Sequence, residues 1–214
     1  MINDGRSLYF SYAERLKQPG ELVPVITSFF HEDATINIVH PFNQINGPKG
    51  YLEHFLLPLQ DSLQGLYRRD DIVMLGEFEG NKWISSTGYY VGQFTKDWVG
   101  IKASGNLSYL RYGEFHRIGN DRAVESYIFL DIPELMIACN QWPLDIGPGH
   151  SRGYTGLIQG PASHDGVLKK NSDPKEGKLS YQIVTDMLSN LATTDEAWRP
   201  YWHKDMMWYG PGAF

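Results

Sequence analysis

Asp131, Glu114 and His116 have the residue types and spacing to move a proton. Asp131 ends the apolar run Ile128-Phe129-Leu130. A carboxylic acid in a dry pocket can take a proton and give it back, because burial lifts its pKa toward neutrality. The same Asp, two residues ahead of Pro133, also fits the N-cap of a short helix. Glu114 and His116 alternate onto one face of a strand with Leu110 and Tyr112, while Arg111, Gly113 and Phe115 take the other. A His beside a carboxylate can orient a substrate or relay a proton. The pair equally fits the solvent side of an antiparallel sheet. Both faces carry aromatics, so pattern leaves open which one looks inward. Arg111 could pair with Asp131 or hold a substrate carbonyl.

Around these residues stand candidate binding groups. Trp83 and Tyr89 share one strand face, and Ile84 and Tyr90 the other. Such aromatics build cores and line pockets alike. Tyr127 lies on the same strand as Asp131. His40 follows the first strand and His54 sits in the third helix, each a candidate pocket residue with an ordinary packed or surface role beside it.

The elements that must position them follow from periodicity. Helices are expected over 7–16 and 21–30, the second with Leu22, Val25, Ile26 and Phe29 at the spacing of a buried stripe. Residues 34–39 read as a strand, and 47–62 as a helix that Pro58 should kink or shorten. Four strands follow, over 71–78, 82–94, 105–118 and 122–132. Glu79-Gly80-Asn81 and Gly119-Asn120-Asp121 supply hairpin turns. The longer connection 96–104 could fold over an opening, and 133–140 closes with a short helix. Runs of helices and then an antiparallel meander argue an α+β domain, helices packed on one face of a bent sheet.

The division expected is a domain over 1–144, an irregular linker over 145–173, and a further piece over 174–214. That last piece repeats the start. Phe29-Phe30-His31-Glu32-Asp33 is matched by Tyr201-Trp202-His203-Lys204-Asp205, each preceded by a helical stretch at nearly equal spacing. His-x-Asp offers too few ligands for a metal, whose sites gather three or four. Its recurrence suggests a hydrogen-bonding role at a helix end.

Composition narrows the function class. A formal charge of −6 with no basic run disfavours nucleic acid, whose binding is led by phosphate neutralisation. The single Cys139 allows no intrachain disulfide and suits a reducing compartment, so the expected location is the cytoplasm. No apolar stretch is long enough to span a bilayer, and no signal peptide is visible.

Several segments together carry a resemblance. Trp83-Ile84-Ser85-Ser86-Thr87-Gly88-Tyr89-Tyr90-Val91-Gly92-Gln93-Phe94 is similar to the W-x-x-x-x-G-x-x-x-G-x-F strand of SnoaL-like polyketide cyclases, also described as predicted ester cyclases. Leu110–Ile118 resembles their next strand. Glu125–Asp131, with Leu135-Met136 and Gln141-Trp142-Pro143-Leu144, resembles the last strand and closing helix, although Tyr127 stands where the family has Trp. Residues 161–168 and 201–211 resemble the linker and second-copy start of tandem members. The resemblance implies the cystatin-like cone of nuclear transport factor 2, a curved antiparallel sheet around three helices enclosing one pocket. It implies ring closure by intramolecular aldol chemistry on a polyketide ester, with a pocket Asp, here Asp131, as acid/base. It also implies no metal or organic cofactor. The partners expected are a small hydrophobic ligand and a second copy of the chain in a homodimer. A non-catalytic ligand-binding or dimerisation module of the same fold is the competing expectation.

Overall fold

The computed structural model describes residues 5–16, 22–144, 174–191 and 196–205. The chain divides into two compact units. The first opens with helices α1 (Arg6–Leu16) and α2 (Leu22–Phe29), followed by strands β1 (Phe30–Ile38) and β2 (Asn43–Asn46). Helix α3 (Gly47–Tyr51) runs through a π turn (Leu52–Leu56) into α4 (Leu57–Ser62). Strands β3 (Leu63–Phe78), β4 (Asn81–Phe94), β5 (Leu107–Gly119) and β6 (Arg122–Leu130) then form a meander, closed by α5 (Ile132–Ala138).

The six strands make one open sheet in the order β2-β1-β6-β5-β4-β3. Every pairing is antiparallel except β1 with β6, which is parallel, so the sheet is mixed where a wholly antiparallel one was expected. The reason is topological. The meander grows from β3 to β6, and β6 returns beside the strand that preceded it. The fold remains an α+β cone with helices on the concave side.

Sequence boundaries fail where regularity fails. Strand β3 begins eight residues earlier than its alternation suggests, because its register against β4 shifts at Gln64/Tyr67 and again at Asp70/Ile72. Such bulges break the period of two and bend the strand. Strand β2 is polar but for Ile45, an edge strand with little signal. The helix expected over 47–62 is interrupted just before Pro58. The Leu57 N–H bonds five residues back, to Leu52 O, and this wider turn places Pro58 in the first turn of α4, where no donor is needed.

The core lies between the sheet's concave face and the helices. Tyr9, Tyr12, Phe29, Phe30, Tyr51, Phe55, Tyr90 and Leu110 are all buried there. Tyr12 stacks on Phe29 with ring centroids 4.0 Å apart. Trp98 and Ile101, in the 96–104 connection, are buried, and Trp98 packs with Phe42.

The second unit contains α6 (Pro174–Asn190) and a short 3-10 turn, Arg199–Tyr201. Trp202 Nε1 donates to Met187 Sδ at 3.0 Å, and Asn190 Nδ2 to the Tyr201 hydroxyl at 3.1 Å. Along α6 Leu179 and Ile183 are exposed, and Met187 is half-buried. The His-x-Asp repeat recurs in geometry: the Asp33 N–H donates to His31 Nδ1, and the Asp205 N–H to His203 Nδ1, each at 3.2 Å. The expected linker and the chain's last residues lie outside the described residues. No helix among the described residues is long and apolar enough to cross a membrane.

Candidate functional site

The sequence leaves two faces of β5 equivalent; packing separates them. Leu110, Tyr112, Glu114 and His116 are buried on the concave side, and Phe115 is exposed on the other. Glu114 and His116 therefore stand inside the cone. His116 Nε2 lies 3.4 Å from Glu114 Oε1, and its Nδ1 is 2.8 Å from Ser126 Oγ on β6. Rings of Tyr9, Tyr12, Phe29 and Phe30 surround the imidazole at centroid distances of 5.0–6.3 Å.

The partner of Glu114 is Arg68, which sequence reasoning missed. Arg68 is fully buried on β3 and bonds both carboxylate oxygens of Glu114, the Nη1–Oε2 distance being 3.3 Å. Its Nη2 also lies 3.0 Å from Asp70 Oδ1, and Nη1 donates to Tyr90 at 3.1 Å. Its guanidinium sits 4.2 Å from the Tyr112 ring centroid, and the Tyr112 hydroxyl donates to Asp70 at 2.6 Å. Ser86 on β4 donates to Glu114 Oε1 at 3.1 Å.

The motif glycines put Arg68 there. A Cβ on Gly88 would meet Arg69 O at 1.9 Å, and one on Gly92 would meet Leu63 Cβ at 2.9 Å. Both stand opposite the irregular parts of β3, whose backbone crowds β4 where a side chain would otherwise stand. The only sequence signal for Arg68 was a charged run, Arg68-Arg69-Asp70-Asp71, which reads as solvent-facing without the bulge between Asp70 and Ile72.

The electrostatics follow from burial and partners. Burial by itself would push Glu114 up, but Arg68 and then His116 hold it far below the usual carboxylate range. It is a fixed anion. Burial dominates at Tyr9, Tyr12, Tyr51, Tyr90 and Tyr112 and keeps them neutral, with Tyr90 raised to about 12. The interior thus combines an ionised cluster, an imidazole and neutral phenols.

Asp131 is placed elsewhere. Its Oδ1 accepts from the Glu134 N–H at 3.0 Å, so it is the N-cap of α5. Its own N–H bonds Arg111 O, whereas Glu114 pairs with Ile128 and His116 with Ser126. At about 3.3 Å per residue, Asp131 sits roughly 10–16 Å along the strand from that pair. The expected trio is divided between the cone's interior and the end of its last strand. Beside Asp131, Glu134 is buried, and its acidity is weakened to a pKa of about 7 by burial and then by Asp131, with Arg111 opposing.

The expected binding residues are dispersed. Trp83, Tyr89, Arg111 and Tyr127 lie on the sheet face away from the cone interior. Trp83 packs near Tyr127 at 6.2 Å, and Tyr127 donates to Glu125 at 2.7 Å. His40 and His54 are exposed. His54 lines an open groove of about 520 Å³ with Pro41, Phe42, Gln44, Ile45, Asn46 and Gly50.

No protein-family profile and no curated protein matches the sequence. Solved structures do match. A candidate SnoaL-like polyketide cyclase from Jannaschia sp. CCS1 superposes with a TM-score of 0.54 at 13% identity, over 66% of this chain and 94% of that one. AclR from Streptomyces galilaeus, a candidate hydroxylase, gives 0.56 at 11% identity, over 69% and 91%. An NTF2-like protein of unknown function from Burkholderia pseudomallei K96243 gives 0.50 at 13% identity, over 63% and 96%. At such identities the likeness is one of architecture, and activities differ among the matches. The cone of this chain has the α+β fold shared by NTF2-like proteins and SnoaL-like polyketide cyclases.

Proposed function

We propose that the cone is a cofactor-independent acid/base enzyme of the polyketide-cyclase type, closing a ring in a small hydrophobic carbonyl compound by aldol or ester condensation. The observation that carries this reading is the contact of His116 with Glu114 on the concave face. His116 Nε2 takes a proton from the carbon next to the substrate carbonyl, and the resulting imidazolium is stabilised by the Glu114 carboxylate. The enolate carbon then bonds to a second carbonyl carbon of the same molecule, and the new alkoxide recovers the proton from His116. Ser126, at Nδ1, fixes the ring's orientation. The neutral hydroxyls of Tyr12 and Tyr51, buried in the same interior, can donate to oxygen as charge develops. At the end of the last strand Asp131 caps α5 and its charge helps keep Glu134 a weak acid, which can give a proton to a substrate that reaches there.

The test is proton exchange. Small β-keto esters in heavy water should exchange the activated C–H faster with the protein than without it, and His116→Asn should abolish the difference. Equal exchange by the variant overturns the assignment.

A second reading is a ligand-binding or dimerisation module. It is favoured by the cone's filling with its own tyrosines, while Met74, Phe115, Tyr127 and Phe129 are exposed on the convex face. Sedimentation equilibrium of Phe115→Lys beside the unaltered chain tests it: a dimer lost in the variant supports a homodimer through that face.

A further inference from the structure

Tyr9 belongs to α1, yet its hydroxyl is seated among side chains of β3, β4 and β5. Arg68 Nη2 donates to it at 2.7 Å. Glu114 Oε1 lies 3.1 Å away and Asp70 Oδ1 3.2 Å away, and Ser86 Oγ is in contact. The seat therefore presents donors and acceptors to one small group. Its occupant must accept from Arg68 and donate to a carboxylate.

Few groups meet that demand. Two carboxylate oxygens, of Glu114 and Asp70, stand 3.1 and 3.2 Å from the hydroxyl position, so an anion placed there would meet like charge on two sides. A carbonyl oxygen would satisfy Arg68 but set a lone pair against Glu114. An apolar group would leave buried charges without the hydroxyl between them, at the cost of unmade hydrogen bonds. A neutral hydroxyl does both jobs. The ring that carries it is packed among rings: those of Tyr12, Phe29 and His116 lie 6.0–6.2 Å from the Tyr9 ring. Burial keeps Tyr9 itself in the neutral form.

The sheet supplies the whole seat, and α1 supplies only the occupant. We propose that Arg68, Ser86, Glu114 and Asp70 form the cone's recognition seat for a neutral hydroxyl on a planar ring or enol, and that Tyr9 is the chain's own competitor for it. Ligand binding and displacement of α1 are then one event. The inference rests on the reading of the cone interior as ligand space, and it names the chemistry that space selects.

The probes are p-cresol, which reproduces the tyrosine ring and hydroxyl, toluene, which lacks the hydroxyl, and p-toluate, which carries a charge. Tyr9→Ala removes the competitor and should bind p-cresol about tenfold or more tightly than the unaltered chain, since affinity scales with the fraction of open seats. It should prefer p-cresol to toluene and to p-toluate by a similar factor. In the unaltered chain, saturating p-cresol should accelerate amide hydrogen exchange over residues 6–16. Equal binding of toluene and p-cresol by Tyr9→Ala, or p-cresol binding that leaves exchange in α1 unchanged, overturns the proposal. If Tyr9→Ala does not fold, Tyr9→Phe keeps the ring and loses the hydroxyl. Faster exchange over 6–16 then supports the seat, and unchanged exchange refutes it. Binding is read without turnover, so hydroxyl selectivity in a chain that exchanges no carbonyl proton removes the catalytic reading and keeps the seat. Exchange without selectivity does the reverse.

Discussion

Gly88 faces the Arg69 carbonyl so closely that a Cβ would come within 1.9 Å of it, and within 2.8 Å of the Tyr112 hydroxyl. The contact joins the sequence motif to the charged interior. Strand β3 folds toward β4 at this point, its register shifts after Asp70, and Arg68 and Asp70 turn into the cone together. One glycine thereby permits both the curl of the sheet and the position of its buried cation.

Gly88→Ala should therefore be strongly destabilising, because the obstruction is backbone and cannot swing away. Gly113→Ala, on the next strand with nothing within 4 Å of its Cβ, is the control. It should melt at or slightly above the temperature of the unaltered chain, since alanine costs less order than glycine in a strand. A melting temperature for Gly88→Ala equal to that of Gly113→Ala would contradict the role assigned to the bulge.

Arg68→Met should cost about 3–5 kcal/mol in urea unfolding, because it leaves Glu114 and Asp70 as buried charges without their cation. Adding Glu114→Gln to Arg68→Met should recover part of that loss, since the double variant buries one charge fewer. Additive losses would show that the pair does not act as a unit.

The sequence carried the elements further than the site. Strand and helix identities survive wherever period is regular, as in α2 and β4, and fail where it is broken, as in β3. Glu114 and His116 were found because they share a face, but which face looked inward depended on packing by α1 and α2, which no local pattern records. Asp131 fitted two roles from its place ahead of Pro133, and its carboxylate is engaged in the capping one. Arg68 and Tyr9 escaped notice because they meet from strands and a helix 59 residues apart. Their significance is a contact, and contacts of that separation leave no spacing to read.

Among the described residues, the buried core of the cone runs from Tyr9 to Leu135. A chain ending at residue 173 should therefore unfold cooperatively at the same urea midpoint as the whole chain, followed by far-ultraviolet circular dichroism. A lower midpoint, or fewer subunits per particle in solution, would show that the C-terminal unit covers part of the cone or joins subunits.

Glu134 gives a pH dependence whose sign can be worked out. Burial, and next the charge of Asp131, raise its pKa from an ordinary 4.5 to about 7, with Arg111 opposing. The folded chain thus holds this proton over a range where the unfolded chain has released it. The associated stability is complete below about pH 4.5, declines as pH rises toward 7, and is absent above. Glu114 runs the other way. Its folded pKa is depressed, so its contribution is present above the ordinary glutamate range and is lost only in stronger acid. Between pH 5 and 8 the Glu134 effect is consequently separable. Glu134→Gln, which keeps the shape and removes the ionisation, should match the unaltered chain near pH 4.5 and exceed it at pH 8. The gain is on the order of 1–2 kcal/mol once screening is allowed for. Urea midpoints at half-unit intervals test this directly. A variant that gains nothing between pH 5 and 8 would mean that the carboxyl of Glu134 is solvated and ionises as an ordinary glutamate, leaving Asp131 no weak acid beside it at the end of the last strand.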